Sequence, residues 1–194
     1  MIPRVFHRIW LGPPMPEAYE RHWGHFAELH PGWEFRTWVD ADLDWLANRD
    51  LFDQQPEMTA KADVARYEVL LKHGGVYVDC DTEPLRPFDD LLAHRAFAGY
   101  EDQRSIANGV IGAEPDHSAV RLLVEELPGF VAKHHRDAPQ QRTGPSFLTA
   151  MWKERDDVTL LPPVVFYPVH WRDKAKLGGP YPDKSYAVSH WGGS

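Results

Sequence analysis

The sequence predicts an α/β domain with a mostly parallel central sheet covered by helices on both faces. Apolar strand-like runs alternate with helix-period segments along nearly the whole chain, and no internal repeat, low-complexity tract or clear linker interrupts them. At 194 residues the chain is long enough for one domain with a sizeable core and short for two, so residues 1–194 are read as a single domain.

The elements follow in order. Val5 to Leu11 reads as a buried first strand stopped by "GPP". Glu17 to Leu29 spaces Tyr19, His22, Trp23, Phe26 and Leu29 at helical period and ends in "HPG". "WEFRTWVD" alternates like a second strand, and a short helix is expected around "ADLDWLAN". A long helix then runs from about Ala60 to His73, where Gly74 and Gly75 stop it. The strand "VYVDCD" comes next, then strands at "AFAGY" and "SIANGVIGA" and helices at "DHSAVRLLVEEL" and "PSFLTAMWKER". Short strands are expected at "VTLLP", "VVFYP" and "SYAVSHW". The Pro/Gly-rich segment from Lys176 to Pro182 reads as a surface loop lying over the site.

Composition narrows the function. A formal net charge of −8 with no Lys/Arg cluster argues against a nucleic-acid partner. No apolar run approaches the roughly 18 residues of a membrane span. Pro3, Arg4 and Arg8 break what would have to be the apolar core of a secretory signal, and one cysteine forms no internal disulfide, so the expected location is cytoplasmic. An acidic protein that binds phosphates must neutralise them with a metal or with backbone N–H groups.

The chemistry concentrates in "KADVARYEVLLKHGGVYVDCDTEPL", residues 61–85. On a continuous strand Tyr77, Asp79 and Asp81 share one face, with Val76, Val78 and Cys80 on the other, where Cys80 reads as core. Neighbouring positions on a face lie about 7 Å apart, close enough for both carboxylates to serve one cation–phosphate group. On the preceding helix Asp63, Arg66 and Tyr67 fall on one surface. Taken alone, Asp63 and Arg66 would be a surface ion pair; the two-glycine turn brings them near the strand-end acids.

"DVARYEVLLKHGGVYVDCDTEPL" resembles the signature segment of glycosyltransferase family 32, the DXD sugar-binding group. That group includes initiating mannosyltransferases, α-1,4-galactosyl and N-acetylglucosaminyl transferases and bacterial capsule enzymes. "IPRVFHRIW", "TGPSFL", "FYPVHW" and "YAVSHW" are similar to further family motifs and fall in the same order. The resemblance implies a Rossmann-like GT-A fold, a divalent metal (Mn²⁺ or Mg²⁺), a nucleotide-sugar donor and retention of anomeric configuration. It puts Asp81 on the metal, Asp79 between metal-bound phosphate and donor, and Asp63 and Arg66 on the donor sugar. It places Tyr77 beside the nucleotide, Trp10 against the base, and Asn108 and His7 near the donor. Many relatives carry a histidine where this chain has Ser189, so His190 serves as a metal ligand only if the backbone bulges there.

The expected activity is transfer of a sugar from a nucleotide-diphosphate donor, a UDP-sugar ahead of GDP-mannose, to a glycan or small hydroxylated acceptor. Two alternatives use the same residues. One is a degenerate sugar-nucleotide-binding module. The other is a phosphatase of the haloacid dehalogenase type, because "DCDT" also fits a DxDxT motif; its partner lysine and acidic strands are not evident.

Overall fold

The structure is a computed structural model and describes residues 1–192; Gly193 and Ser194, the end of the terminal motif, lie outside the described residues. In chain order it contains β1 (Val5–Ile9), α1 (Glu17–Leu29), β2 (Glu34–Trp38), α2 (Arg49–Gln54), α3 (Met58–His73), β3 (Gly75–Val78) and β4 (Thr82–Pro84). There follow β5 (Ala96–Tyr100), β6 (Ile106–Ala113), α4 (Ser118–Lys133), α5 (Pro139–Arg142), α6 (Pro145–Trp152), β7 (Thr159–Leu161) and β8 (Ala187–Ser189).

Six strands form the central sheet in the order β2-β1-β3-β6-β5-β7. β1 pairs parallel with β2 and β3, and β5 with β7, whereas β6 runs antiparallel to both of its neighbours. The sheet is thus mostly parallel, with β6 the reversed strand, and it carries a core on each face. Tyr77, Ala98 and Ile111 face α3, α4 and α6 through Val64, Leu70, Leu123, Leu127, Phe147 and Trp152. Phe6, Val76, Val78 and Phe97 face Phe26 of α1 together with Phe88 and Phe166. Each Val, Leu, Ile and Phe among these contributes about 1.5–3 kcal/mol on full burial.

The two glycines have a steric reason. Gly74 ends α3 at φ +62 with its N–H on the Leu70 carbonyl at 2.9 Å, and Gly75 opens β3 at φ +94. A Cβ on Gly75 would sit 2.5 Å from Val5 Cγ1 and 2.7 Å from the Val5 carbonyl oxygen. Only glycine lets the chain reverse this close to β1.

Several expectations need correction. The strand expected through Asp81 ends at Val78, and residues 79–82 form a turn closed by the Thr82 N–H on the Asp79 carbonyl at 3.0 Å. Side-chain alternation therefore applies to residues 76–78 alone, and Cys80 is half-buried with its Sγ 3.5 Å from the Ile9 carbonyl oxygen. The helix expected at 41–48 is only a 3₁₀ turn at Asp40–Asp42, the α-helix beginning later at Arg49. "VVFYP" is not a strand: its two valines belong to a 3₁₀ turn at Pro163–Val165, and the adjacent prolines lack the N–H groups a ladder needs. "SYAVSHW" supplies β8, yet β8 lies outside the main sheet and pairs antiparallel with the unforeseen β4. No helix among the described residues is long and apolar enough to cross a membrane.

Candidate active site

A cleft of about 510 Å³ opens at the carboxyl ends of β1 and β3, where ligands bind in open α/β sheets. Trp10 from the end of β1, the Asp79–Cys80–Asp81 turn, Asp63 and Arg66 of α3, and Gly109 of β6 all line it. Ser189, Trp191 and Gly192 close one side.

Asp63 and Arg66 are a buried pair, not the surface pair that local spacing alone suggested, at 6% and 4% exposure. The Asp63 carboxylate accepts from Asn108 Nδ2 at 2.7 Å and Thr143 Oγ1 at 2.7 Å, and it contacts Arg66 at 2.9 Å. Burial raises its pKa, with the Arg66 charge opposing. Thr143 is presented by α5, which buried Arg142 ties down by donating to Gln55 Oε1 at 3.0 Å and to the Asp137 carbonyl at 2.8 Å. Arg66 donates to the Asn108 carbonyl at 2.5 Å, pairs with Asp79 at 3.2 Å and stacks its guanidinium over Tyr77 at 4.4 Å. Burial works against its charge, but the carboxylates of Asp79 and Asp63 outweigh it and hold its pKa above the ordinary value.

The DXD turn is built onto this pair. Asp79 Oδ1 accepts the Tyr77 hydroxyl at 2.9 Å, and the Asp79 N–H is held by the Gly109 carbonyl at 2.8 Å. A Cβ on Gly109 would lie 2.7 Å from Asp79 Oδ2, so glycine is what lets the carboxylate sit there. Asp81 accepts the Gly192 N–H at 2.6 Å; burial and the neighbouring Asp79 push its pKa up to about 6.

Asn108 stands behind Asp63 and orients it without lining the cleft. His7 also stands apart from the cleft, contrary to the expectation that it lies near the donor. Its Nδ1 accepts from Trp38 Nε1 at 3.1 Å and its Nε2 donates to the Gly74 carbonyl at 2.9 Å, so both ring nitrogens are occupied in the core. His190 points away from the DXD turn: its Nε2 lies 2.7 Å from Glu83 Oε2 and its ring stacks on His22. Ser189 takes the cleft-facing place instead. The loop from 176 to 182 does not line the cleft; Tyr181 and Pro182 border a separate hollow with Leu85 and Arg86.

Sequence reasoning missed Tyr19, Glu101 and Tyr167, all of which line the cleft. Burial raises the pKa of Glu101. Its signal was positional, since it directly follows the carboxyl end of β5.

A mostly parallel sheet with one reversed strand, carrying a DXD turn beside a buried Asp–Arg pair, defines the GT-A class of glycosyltransferase folds. The ligand-free glycosyltransferase domain of the YGT toxin shares this fold with a TM-score of 0.63 at 10% identity, over 82% of this chain and 80% of that one. The PaToxG glycosyltransferase does so with a TM-score of 0.62 at 14% identity, over 77% and 68%. The profile of the glycosyltransferase sugar-binding region containing DXD motif matches residues 17–98. Inositol phosphoceramide mannosyltransferase 3 of Schizosaccharomyces pombe is 30% identical over 161 residues, 78% of this chain and 45% of its own length. Mannosyl phosphorylinositol ceramide synthase SUR1 of Saccharomyces cerevisiae is 27% identical over 169 residues, 79% and 42%. The chain is thus similar in sequence to family 32 glycosyltransferases and shares the GT-A fold, and it spans less than half the length of these two relatives.

Proposed function

We propose that the chain is a metal-dependent glycosyltransferase that moves a sugar from a nucleotide-diphosphate donor to an acceptor hydroxyl with retention of configuration. The observation that carries this reading is the Asp79–Cys80–Asp81 turn, set in a cleft directly in front of the buried Asp63–Arg66 pair. Asp79 and Asp81 form an all-oxygen donor set, which fits Mn²⁺ or Mg²⁺ better than a thiolate-loving ion. The raised pKa of Asp81 fits too, because burial first and the neighbouring Asp79 second disfavour its charged form until a cation offsets it.

A divalent ion bound there would supply positive charge against the departing diphosphate. The chain's own residues do the positioning. Arg66 fixes Asp79 by charge and, with Asp63 oriented from behind by Asn108, presents a polar wall to the sugar. Trp10 offers aromatic surface at the nucleotide end and Tyr77, itself buried, supports Asp79 and Arg66 beneath it, while Glu101 and Tyr167 border the cleft as acceptor-side candidates. In the proposed front-side step the bond from the anomeric carbon to the diphosphate breaks as the acceptor oxygen attacks the same face. The acceptor proton passes to the leaving phosphate.

The two relatives' names specify mannose and an inositol phosphoceramide. They support a mannosyl group, and hence GDP-mannose, as the donor to set beside the UDP-sugars, with a polyol or glycan hydroxyl as acceptor. A cytoplasmic setting belongs to the same reading. The GT-A neighbours leave the haloacid dehalogenase alternative without a fold. The binding-module alternative differs in predicting affinity without turnover.

The test is a thermal-shift and turnover screen of UDP, GDP and their sugars with Mn²⁺. A true ligand at a hundred times its dissociation constant should add about 2.7 kcal/mol of stability. Binding and transfer should both disappear in EDTA. Full activity in chelator would overturn the metal dependence, and the absence of any nucleotide shift would overturn the donor assignment.

A further inference from the structure

Outside the cleft, three side chains from three separate elements converge. His22 lies on α1, Glu83 on β4, and His190 directly after β8. One ligand-capable atom from each falls within 4.8 Å of the other two. His190 Nε2 is 2.7 Å from Glu83 Oε2, and the His22 ring stacks on the His190 ring at 4.7 Å between centroids, tilted by 29°. Both His190 and Glu83 are about 30% exposed, so the cluster is open to an entering ion.

We propose that His22, Glu83 and His190 form a second metal site, distinct from the DXD turn, that takes a borderline divalent cation of the Zn²⁺ class. Two imidazoles and one carboxylate are a His₂Glu donor set of the kind that binds zinc, unlike the all-oxygen pair in the cleft. Closing the site needs modest movement. Zinc ligands sit about 2.0–2.2 Å from the ion, so the three donor atoms must draw in, and the ion takes the place of the proton now shared by His190 and Glu83.

The location gives the site a consequence. Glu83 pairs with Val188 in the β4–β8 ribbon, and the His190 N–H is held by the Asp81 carbonyl at 3.0 Å. A metal joining α1 to this ribbon would pin the end at which Asp81, just before β4, meets Ser189 of β8 and the Trp191 and Gly192 that follow it. The cation thus acts as a clip on the cleft's C-terminal wall. This inference does not depend on the transferase reading, since it concerns residues outside the cleft.

The experiment uses untagged full chain and titrates Zn²⁺ alone, at about pH 7.5 where ordinary imidazoles are mostly neutral, with Co²⁺ as an optical reporter of nitrogen ligation. The Asp81→Asn protein should still bind one equivalent of Zn²⁺ and show visible Co²⁺ bands. His22→Ala and Glu83→Gln should each weaken that binding by more than about a hundredfold, beyond the roughly 10–100-fold loss typical of a supporting residue. Zn²⁺ should raise the melting temperature of the Asp81→Asn protein but not of the Asp81→Asn/His22→Ala double variant. Loss of the Zn²⁺ equivalent in Asp81→Asn, or its full retention in both His22→Ala and Glu83→Gln, overturns the proposal. His22 is a half-buried helix residue, so His22→Gln, which keeps the side chain's bulk, serves if His22→Ala misfolds.

Discussion

Arg66 is the point at which the charges of the cleft meet, because a single guanidinium reaches the Asn108 carbonyl, Asp63 and Asp79 while stacking on Tyr77. A lysine keeps the charge but loses the planar fork that serves several acceptors at once. Arg66→Lys should therefore lose about 2–4 kcal/mol of stability, since buried Asp63 loses its directed partner, and should lose turnover as well. Denaturant midpoints at constant m-value check the first part, and rates on folded protein the second. A native midpoint together with native turnover would return Asp63 and Arg66 to a bystander role. Asp81→Asn separates the metal from this framework. It should abolish Mn²⁺-dependent nucleotide binding, measured by calorimetry, and leave a cooperative melt, because Asp81 sits in a turn outside the two cores. Gly109→Ala probes the same carboxylate from behind: a methyl 2.7 Å from Asp79 Oδ2 must displace it, so Mn²⁺-supported binding should weaken more than stability does.

The turn from α3 into β3 decides where the DXD acids stand, and it is built on two residues of positive φ. Gly75→Ala combines left-handed strain with a Cβ driven against Val5, so about 2 kcal/mol or more should be lost. Gly32→Ala is the matching control: its φ is +83 with open space around it, and it should cost only about 1 kcal/mol. Equal losses at the two sites would show that packing against β1 contributes nothing. The helices of long period, α1, α3 and α4, were legible in sequence because the repeat runs for several turns. α2 and α5 were not, being six and four residues long, too short for a period to emerge. The DXD pair was legible because it lies within three residues. The burial of Asp63 was not, since its partners Asn108 and Thr143 lie 45 and 80 residues away. The direction of His190 follows the alternation read from the sequence, since Ser189 faces the cleft and His190 the other side; the metal role expected of it needed a bulge that the backbone does not make there.

Across the whole molecule, acid stability is coupled to His7, a neutral imidazole locked into the sheet. Burial pulls its pKa down to about 4, the Gly74 hydrogen bond opposes that, and the charges of His73 and Arg36 add to it. Protonating Nδ1 would also break the bond it accepts from Trp38. Between pH 6.5, its ordinary value, and about 4, the unfolded chain holds a proton at His7 that the folded chain does not. Stability therefore falls as pH drops through that window and levels off below it, by about 3 kcal/mol in all for this residue. A glutamine side chain at this position could accept from Trp38 and donate to the Gly74 carbonyl without titrating, so His7→Gln should lose little at pH 7.5 and show a shallower decline toward pH 4. Other buried histidines, His30 and His117 among them, are shifted the same way and will leave some slope in the variant. The measurement is the urea unfolding free energy of both proteins at half-unit steps from pH 7.5 to 4. Parallel curves across the whole range would show that His7 is not the coupled group.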